Sequence, residues 1–482
     1  MEKLPGTRNY PTSALLLLIV LFGLSLRLMF FSGMSTSDDL AYSRYSYNLM
    51  EGVKEESSPI LLARTGITYP TALSYSIFGI NDFSSVLFVL LTSIGNIILA
   101  YHFGKLLYTK EAGLMTAFLM AIFPLEIVYS TRLLTDLPAS FFMAWGVYIF
   151  LRAEITNRPG YQYFISGLLT GIGFFIRESA MLIALFFLGY MVHQRRIKKE
   201  YFLLPIGFLL VFFLDMLLLA TLTGDFFFRF TTVQDAVLKE YAYFDYFGRL
   251  DFPETFFHYP YVILTNGLLT YFFLPIFGSI IYLVLNKKKQ SYLMIIWLAS
   301  LLFYLSFGSI SLSTYIPFRA DPRYFALVTM PGVLLLSFFL TEEKKAIKKF
   351  IMPLSLALLL TTSAIFSSPN KVDAAVDNLK ELYPSLGSLE KPIYTDGRSA
   401  LVIGYLAGYH PAMQLLEYPK NLTAIDHAYI LVNSAMISRL EESSKKIPLP
   451  IEVHAPPKSW VIIAQTFDSQ EGNEGATLYY SP

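Results

Sequence analysis

Residues 12–31 read TSALLLLIVLFGLSLRLMFF, a run as long as the roughly 20 residues that a helix needs to cross the hydrocarbon of a bilayer. A short basic-leaning start (Lys3, Arg8) precedes it and no small-residue cleavage pattern follows, so it reads as a retained signal-anchor helix and not as a removed signal peptide. Ten further runs of this kind lie near 84–104, 112–130, 137–151, 161–176, 180–193, 201–222, 260–285, 291–310, 324–340 and 350–366. The fold class that follows is an all-α polytopic membrane bundle of about eleven helices.

Composition agrees. Of 482 residues, 54% are apolar and only 15% charged, well below the quarter usual in soluble domains, which argues against a cytosolic enzyme. Lys plus Arg (37) nearly cancels Asp plus Glu (36), and a net charge this small provides no field for gathering nucleic acid. The absence of cysteine excludes disulfides, thiolate zinc sites and cysteine nucleophiles, and leaves the redox compartment open.

Charge also orients the bundle. The runs 161–176 and 180–193 are short and separated by Arg177-Glu178. Arg152 and Arg158 precede them, and Arg195, Arg196, Lys198 and Lys199 follow. Both clusters belong on the cytoplasmic side, which requires a hairpin of two crossings. With a cytoplasmic N-terminus the inner loops hold 17 Lys/Arg, twelve of them Lys, while the much longer outer loops hold 10, eight of them Arg. Arg is the side chain whose planar fork grips phosphate or carboxylate in two places, so the outer arginines 44, 64, 132, 177, 229, 249, 319 and 323 point as a group to an anion site. The bland reading of each is an ordinary ion pair.

The composition changes after Phe366, and residues 367–482 read as a small soluble α/β domain, extracytoplasmic by crossing parity. Helices are predicted over 372–385 and 398–407, and strands near 392–395, 428–432, 460–464 and 477–480. Asn421-Leu422-Thr423 is an N-glycosylation sequon, a pattern common by chance. The transmembrane domain 1–366 has two long outer connections, 32–83 and 223–259, and long loops in a bundle of short turns usually carry function. The first opens with Asp38-Asp39 beside the first span and continues through Arg64 to an amphipathic stretch ending at Gly79. Shorter outer turns carry Arg132 to Pro138 and Pro317 to Tyr324.

This arrangement resembles the GT-C class of membrane glycosyltransferases, in particular the branch of protein O-mannosyltransferases and lipid A aminoarabinose transferases. The residues that carry the resemblance span about 10–340: Asp38-Asp39; Arg64, Pro70 and Phe78-Gly79; Pro124, Tyr129-Ser130 and Thr135-Asp136-Leu137-Pro138; Gly167, Gly171 and Gly173 before Arg177-Glu178; Leu222-Thr223-Gly224-Asp225; and Arg323-Tyr324. The family commonly has Asp-Glu where this chain has Asp-Asp, and often Lys in place of Arg64. The resemblance implies transfer of a sugar from a polyprenyl- or dolichyl-phosphate carrier to an extracytoplasmic acceptor, whether protein, glycan or lipid.

Elementary chemistry leads to the same roles. A lipid-phosphate donor keeps its tail in the bilayer and its headgroup at the interface, so its enzyme needs apolar spans with polar groups at one mouth. The acceptor hydroxyl needs a base, for which Asp38 is chosen, with Asp39 and Asp136 as the other catalytic candidates. The leaving phosphate is a weak base that needs only cations, for which Arg64 and Arg323 are chosen, with Arg319, Tyr324 and Arg177 as helpers. A single displacement inverts the anomeric centre.

Each assignment has a structural rival. Asp38 and Asp39 could end the first helix or cap the next, Asp136 with Pro138 behind it reads equally as a helix cap, and Arg177-Glu178 reads as a structural ion pair. Glu126 and Asp215 lie near the outer ends of apolar runs, where a midplane relay is not expected. No cofactor is expected; the alternative is a divalent ion on Asp38, Asp39, Asp136 and Glu126, as oligosaccharyltransferases of the wider class employ. The rival function is a multi-pass transporter or lipid-linked sugar flippase, which would place its charges at the midplane. Because the chain lacks cysteine, topology is directly testable. Single cysteines introduced at Ser57 and Ser444 should label from the same side of the membrane, and one at Lys288 from the other.

Overall fold

The computed structural model describes residues 11–35, 38–53, 62–157, 160–232, 254–309, 315–318, 320–342, 350–367, 374–386, 389, 391–409, 414–442, 449–467 and 474–482. Two compact units emerge. One comprises Met1–Phe31, Phe88–Arg229 and Leu250–Ser368, the other Ser32–Leu87, Phe230–Arg249 and Pro369–Pro482.

Every expected span coincides with helix. The helices are α1 (Thr12–Met29), α2 (Asp38–Glu51), α3 (Thr65–Phe78), α4 (Asp82–Leu107), α5 (Lys110–Ile122), α6 (Pro124–Tyr129), α7 (Asp136–Thr156), α8 (Tyr161–Ile176), α9 (Ala184–Gln194), α10 (Leu203–Thr223), α11 (Glu254–Thr265), α12 (Gly267–Leu285), α13 (Tyr292–Phe307), α14 (Ala326–Leu340) and α15 (Met352–Phe366). Among the described residues six helices are long and apolar enough to cross a membrane, and Tyr161–Ile176, Glu178–Gln194 and Met352–Phe366 are shorter apolar ones. The protein is a multi-pass membrane protein.

Two spans are less continuous than their hydropathy predicts. Residues 112–130 break before Pro124, whose ring cannot extend the α5 helix and instead starts α6. Residues 260–285 break at Asn266, whose side chain accepts the Leu268 N–H at 3.0 Å and so caps α12.

Glycines set the contacts between α7, α8 and α10. A Cβ on Gly167 would stand 1.9 Å from the Leu204 carbonyl oxygen, and one on Gly207 2.1 Å from that of Phe164. Gly171 faces Val211 in the same way, so α8 and α10 touch backbone to backbone and run parallel. Two parallel neighbours require the chain between them to cross back, and α9 does so. The hairpin expected from the basic clusters is therefore what the packing shows. On its other side α8 runs antiparallel to α7, with Ser166 Oγ donating to the Gly146 carbonyl at 2.7 Å and Gly173 set against Ala139. Gly224, at φ +78, ends α10 in the left-handed conformation that glycine adopts without strain, its N–H donating to Ala220 O.

In the second unit, α2 and α3 are grouped with the C-terminal segment. That segment adds α16 (Ala374–Leu386), α17 (Gly397–Leu406) and α18 (Ser434–Glu442) to a sheet of β1 (Ile393–Thr395), β2 (Leu415–Glu417), β3 (Ala428–Asn433), β4 (Val461–Phe467) and β5 (Glu474–Ser481). The sheet order is β2-β1-β3-β5-β4, with β1 parallel to both β2 and β3 and the pairs β3/β5 and β5/β4 antiparallel. Its core holds Leu422, Ile430, Val432, Ile437, Val453, Trp460 and Tyr479. Both helices and all four strands expected here are present. The sequence reading missed β2, a three-residue edge strand with two exposed positions, and α18, a short polar helix.

Replacing Gly167 by Ala should separate α8 from α10 and destabilise the bundle by about 1–3 kcal/mol. Gly278→Ala, where a Cβ meets nothing within 4 Å, should be neutral or slightly stabilising. Thermal unfolding of the purified variants in detergent compares the two.

Candidate active site

The candidate residues fall into two groups, one in each unit. In the helical unit the chain between α8 and a short 3₁₀ turn (Glu178–Ile183) is extended at Arg177 (φ −154°, ψ 134°), which aims its side chain at the start of α7. Arg177 Nη1 donates to Asp136 Oδ2 at 2.6 Å and to Thr135 Oγ1 at 3.0 Å. Both ends of the pair are buried. Thr135, and not Asp136, occupies the N-cap position of α7, and its hydroxyl makes no capping bond. Asp136 lies in the first turn, where the helix dipole favours its charge, and its carboxylate serves Arg177 instead of the helix end.

Tyr324 joins these groups. The Arg177 guanidinium lies 4.8 Å from the Tyr324 ring centre and that of Arg323 lies 5.5 Å from it. One aromatic face system thus draws two cations to the same place. Asp321 caps the 3₁₀ turn Pro322–Phe325 through the Arg323 N–H at 3.1 Å, and its second oxygen approaches Arg323 Nε at 3.5 Å. Tyr129 lies in the field of Asp321, Arg132, Arg323 and Asp136, and Tyr259 in that of Tyr324, Asp321, Arg177 and Asp136. Five separate chain segments therefore meet at one end of this unit. Arg132 was not among the expected phosphate ligands. Its guanidinium lies 5.8 Å from the Tyr129 ring, its Nε is buried without a hydrogen-bond partner, and no carboxylate among the described residues pairs with it. Arg319 lies outside the described residues.

In the second unit Asp38 opens α2 and is half-buried, whereas Asp39 is buried and accepts the Ser35 and Leu40 backbone N–H groups. Arg64 stands just before α3 and donates through Nη1 to the Tyr42 hydroxyl. Tyr42 is four residues after Asp38, so this bond brings Arg64 to the helix face that carries Asp38.

Two arginine networks escaped the sequence reading. Arg229, fully buried, grips Asp215 with two nitrogens (Nε to Oδ2 2.7 Å, Nη2 to Oδ1 3.0 Å) and Glu178 with a third at 2.8 Å. Arg177 and Glu178 therefore bind separate partners, Asp136 and Arg229, and do not form the local pair expected of them. Arg27 of α1 donates to Ser93 Oγ at 2.9 Å and Ala121 O at 3.2 Å and faces Glu126 at 3.9 Å. Glu126 also accepts from Ser93 and Asn96. Two of the four carboxylates put forward for a divalent ion, Asp136 and Glu126, are thus engaged by guanidinium groups. Among the described residues no three His, Asp or Glu side chains are grouped as metal ligands.

Residues 66–219 match the family model of dolichyl-phosphate-mannose-protein mannosyltransferase. No curated protein matches the chain in sequence. The fold is similar to that of ArnT from Cupriavidus metallidurans solved with undecaprenyl phosphate, at a TM-score of 0.63 and 10% identity, covering 97% of this chain and 98% of that one. It is also similar to the oligosaccharyltransferase of Archaeoglobus fulgidus tethered to an acceptor peptide (TM-score 0.56, 14% identity, 98% and 74% covered), and to the same organism's AglB with an inhibitory peptide and dolichol-phosphate (0.55, 13%, 98% and 74%). The protein has the GT-C fold: a polytopic helical bundle with a small C-terminal α/β segment. The resemblance read from its motifs, to the branch of protein O-mannosyltransferases and aminoarabinose transferases, holds.

Removing one member of a buried ion pair strands the other. Arg229→Ala should lower the stability of the helical unit by about 3–5 kcal/mol, read as a fall in melting temperature in detergent.

Proposed function

We propose that this protein transfers one sugar from a polyprenyl- or dolichyl-phosphate carrier to an acceptor on the extracytoplasmic side of the membrane, with inversion at the anomeric carbon. The observation that carries this reading is the gathering of Arg177, Arg323 and Arg132 around Tyr129 and Tyr324 at one end of an apolar bundle. Cations held there suit a phosphate whose lipid tail stays among the helices. Its fold neighbours support the donor class, since ArnT was solved with undecaprenyl phosphate and AglB with dolichol-phosphate. The family model over 66–219 is named for a dolichyl-phosphate-mannose donor and a protein acceptor.

In this reading Asp38 is the base. It is half-buried and so within reach of an acceptor hydroxyl, whereas Asp39 is buried and accepts backbone N–H groups at the start of α2. The acceptor oxygen attacks the anomeric carbon as Asp38 removes its hydrogen, and the bond to the carrier phosphate breaks with its electron pair staying on the phosphate. Arg323 and Arg132 are the cations assigned to that phosphate as charge builds on it, and Tyr324 and Asp136 position Arg177 beside them. Guanidinium groups supply the electrophilic role, so the reaction is proposed to run without a divalent ion. The N-terminus is cytoplasmic, and the end bearing Arg177 and Arg323 faces away from the cytoplasm.

Purified protein supplied with a panel of lipid-phosphate sugars tests this reading. Asp38→Asn should reduce kcat by about 10²–10⁴ with donor KM little changed. Arg323→Ala and Arg132→Ala should each raise donor KM by about tenfold or more, and a chelator should leave turnover unchanged. A fully active Asp38→Asn enzyme removes Asp38 as the base, and inactivity with every donor favours transport.

A further inference from the structure

The C-terminal segment has no part in the chemistry above, yet its side chains reach the helix that carries Asp38 and Asp39. The Tyr409 hydroxyl, just beyond α17, donates to Ser43 Oγ at 2.9 Å. Ser43 and Tyr75 share a hydrogen bond of 2.6 Å, Tyr75 and Ser85 one of 2.8 Å, and Ser85 and Tyr405 one of 3.0 Å. Tyr405 in turn donates to Asp82 Oδ1 at 2.9 Å, and the other oxygen of Asp82 is paired with Lys380 at 2.8 Å. The result is one unbroken chain of hydroxyl groups that starts and ends in the C-terminal segment and passes through α2, α3 and the first turn of α4.

Three further observations tie this chain to the catalytic candidates. Ser43 follows Asp39 by four residues and so shares its face of α2, and the Asp39 charge is felt at both Tyr75 and Tyr409. Ser43, Tyr75, Tyr405 and Tyr409 are all buried, where a hydroxyl network tolerates one arrangement and penalises others. Tyr409 sits at φ +56° beside Gly408 at +61°, a left-handed conformation that is uncommon for a bulky residue and that its surroundings must enforce. That turn brings its ring against Tyr47, with centres 5.0 Å apart, and under the Arg44 guanidinium at 5.1 Å. Burial pushes the Tyr75 pKa up to about 12, so the middle of the chain keeps its proton at any physiological pH.

We propose that the C-terminal segment is a positioning element for catalysis: Tyr409, acting through Ser43, sets the orientation of α2 and hence of Asp38, and Tyr405 anchors the other end of the same hydroxyl chain. This inference rests on the assignment of Asp38 as the base. Neither tyrosine touches the reacting atoms, so both are positioning residues.

The test uses the full-length protein with Tyr409→Phe, Tyr405→Phe and the double change. Each removes a hydroxyl and leaves its ring in place. Tyr480→Phe, whose hydroxyl meets Lys391 and His427 and nothing of α2, is the control. The double variant should lose about tenfold or more in kcat, since small displacements of a catalytic group are costly, while donor KM stays within about twofold. Amide exchange should rise over residues 38–51, and the control should match wild type in both readouts. Unchanged kcat, a loss confined to donor KM, or exchange raised evenly through the whole C-terminal segment would each overturn the proposal. The exchange measurement does not depend on turnover, so an active Asp38→Asn enzyme would fail the base assignment while leaving the ordering of α2 by Tyr409 to be decided on its own.

Discussion

An arginine inside a bundle that faces lipid persists only where something negative or dipolar meets its planar fork, because an unpaired charge in hydrocarbon is far too costly. The helical unit obeys this constraint three times. Arg27 is met by Glu126, Ser93 and two backbone carbonyls, Arg177 by Asp136 and Thr135, and Arg229 by Asp215 and Glu178. Each arginine has at least one partner far away in sequence, Glu126 for Arg27, Asp136 for Arg177 and Glu178 for Arg229, so the pairing of charge also selects which helices lie together. The glycine contacts of α8 allow that selection, since Gly167, Gly171 and Gly173 bring backbones close enough for short polar side chains to meet.

The same constraint separates structural arginines from those suited to a ligand. Arg229 has every direction of its fork occupied by carboxylates or a carbonyl, and it holds the end of α10 against the turn after α8. Arg132 and Arg323 are different. Both lie against tyrosine rings, and Arg323 also meets a carboxylate at 3.5 Å, so aromatic faces help to place these two cations.

Much of this was legible in the sequence because the membrane simplifies the code. A helix that must satisfy its own backbone in lipid shows as an apolar run, and all eleven runs became helix, with the hairpin at Arg177 recoverable from basic residues alone. Of the motif residues singled out, Asp136, Arg177, Arg323 and Tyr324 come together in the helical unit, while Asp38, Asp39 and Arg64 belong to the other unit. Local pairing was less legible. Arg177 and Glu178 are adjacent, yet an extended residue between two helical stretches turns successive side chains to different sides, so each found a partner some forty to fifty residues distant. Arg27 lay within an apolar run and drew no notice, because its partner Glu126 comes from another helix.

What the sequence determined by itself was the set of membrane-length helices, the position of the α/β segment and the polar motifs between them, since all of these follow from short-range pattern and from the need to bury apolar surface. Only the tertiary structure decided which charge answers which, that Asp39 is buried and accepts backbone N–H groups, and that a chain of hydroxyl groups links the C-terminal tyrosines to α2. Those outcomes depend on contacts between residues as much as 366 positions apart. No periodicity encodes such contacts; they exist because buried hydroxyl and guanidinium groups must find partners wherever packing has brought them.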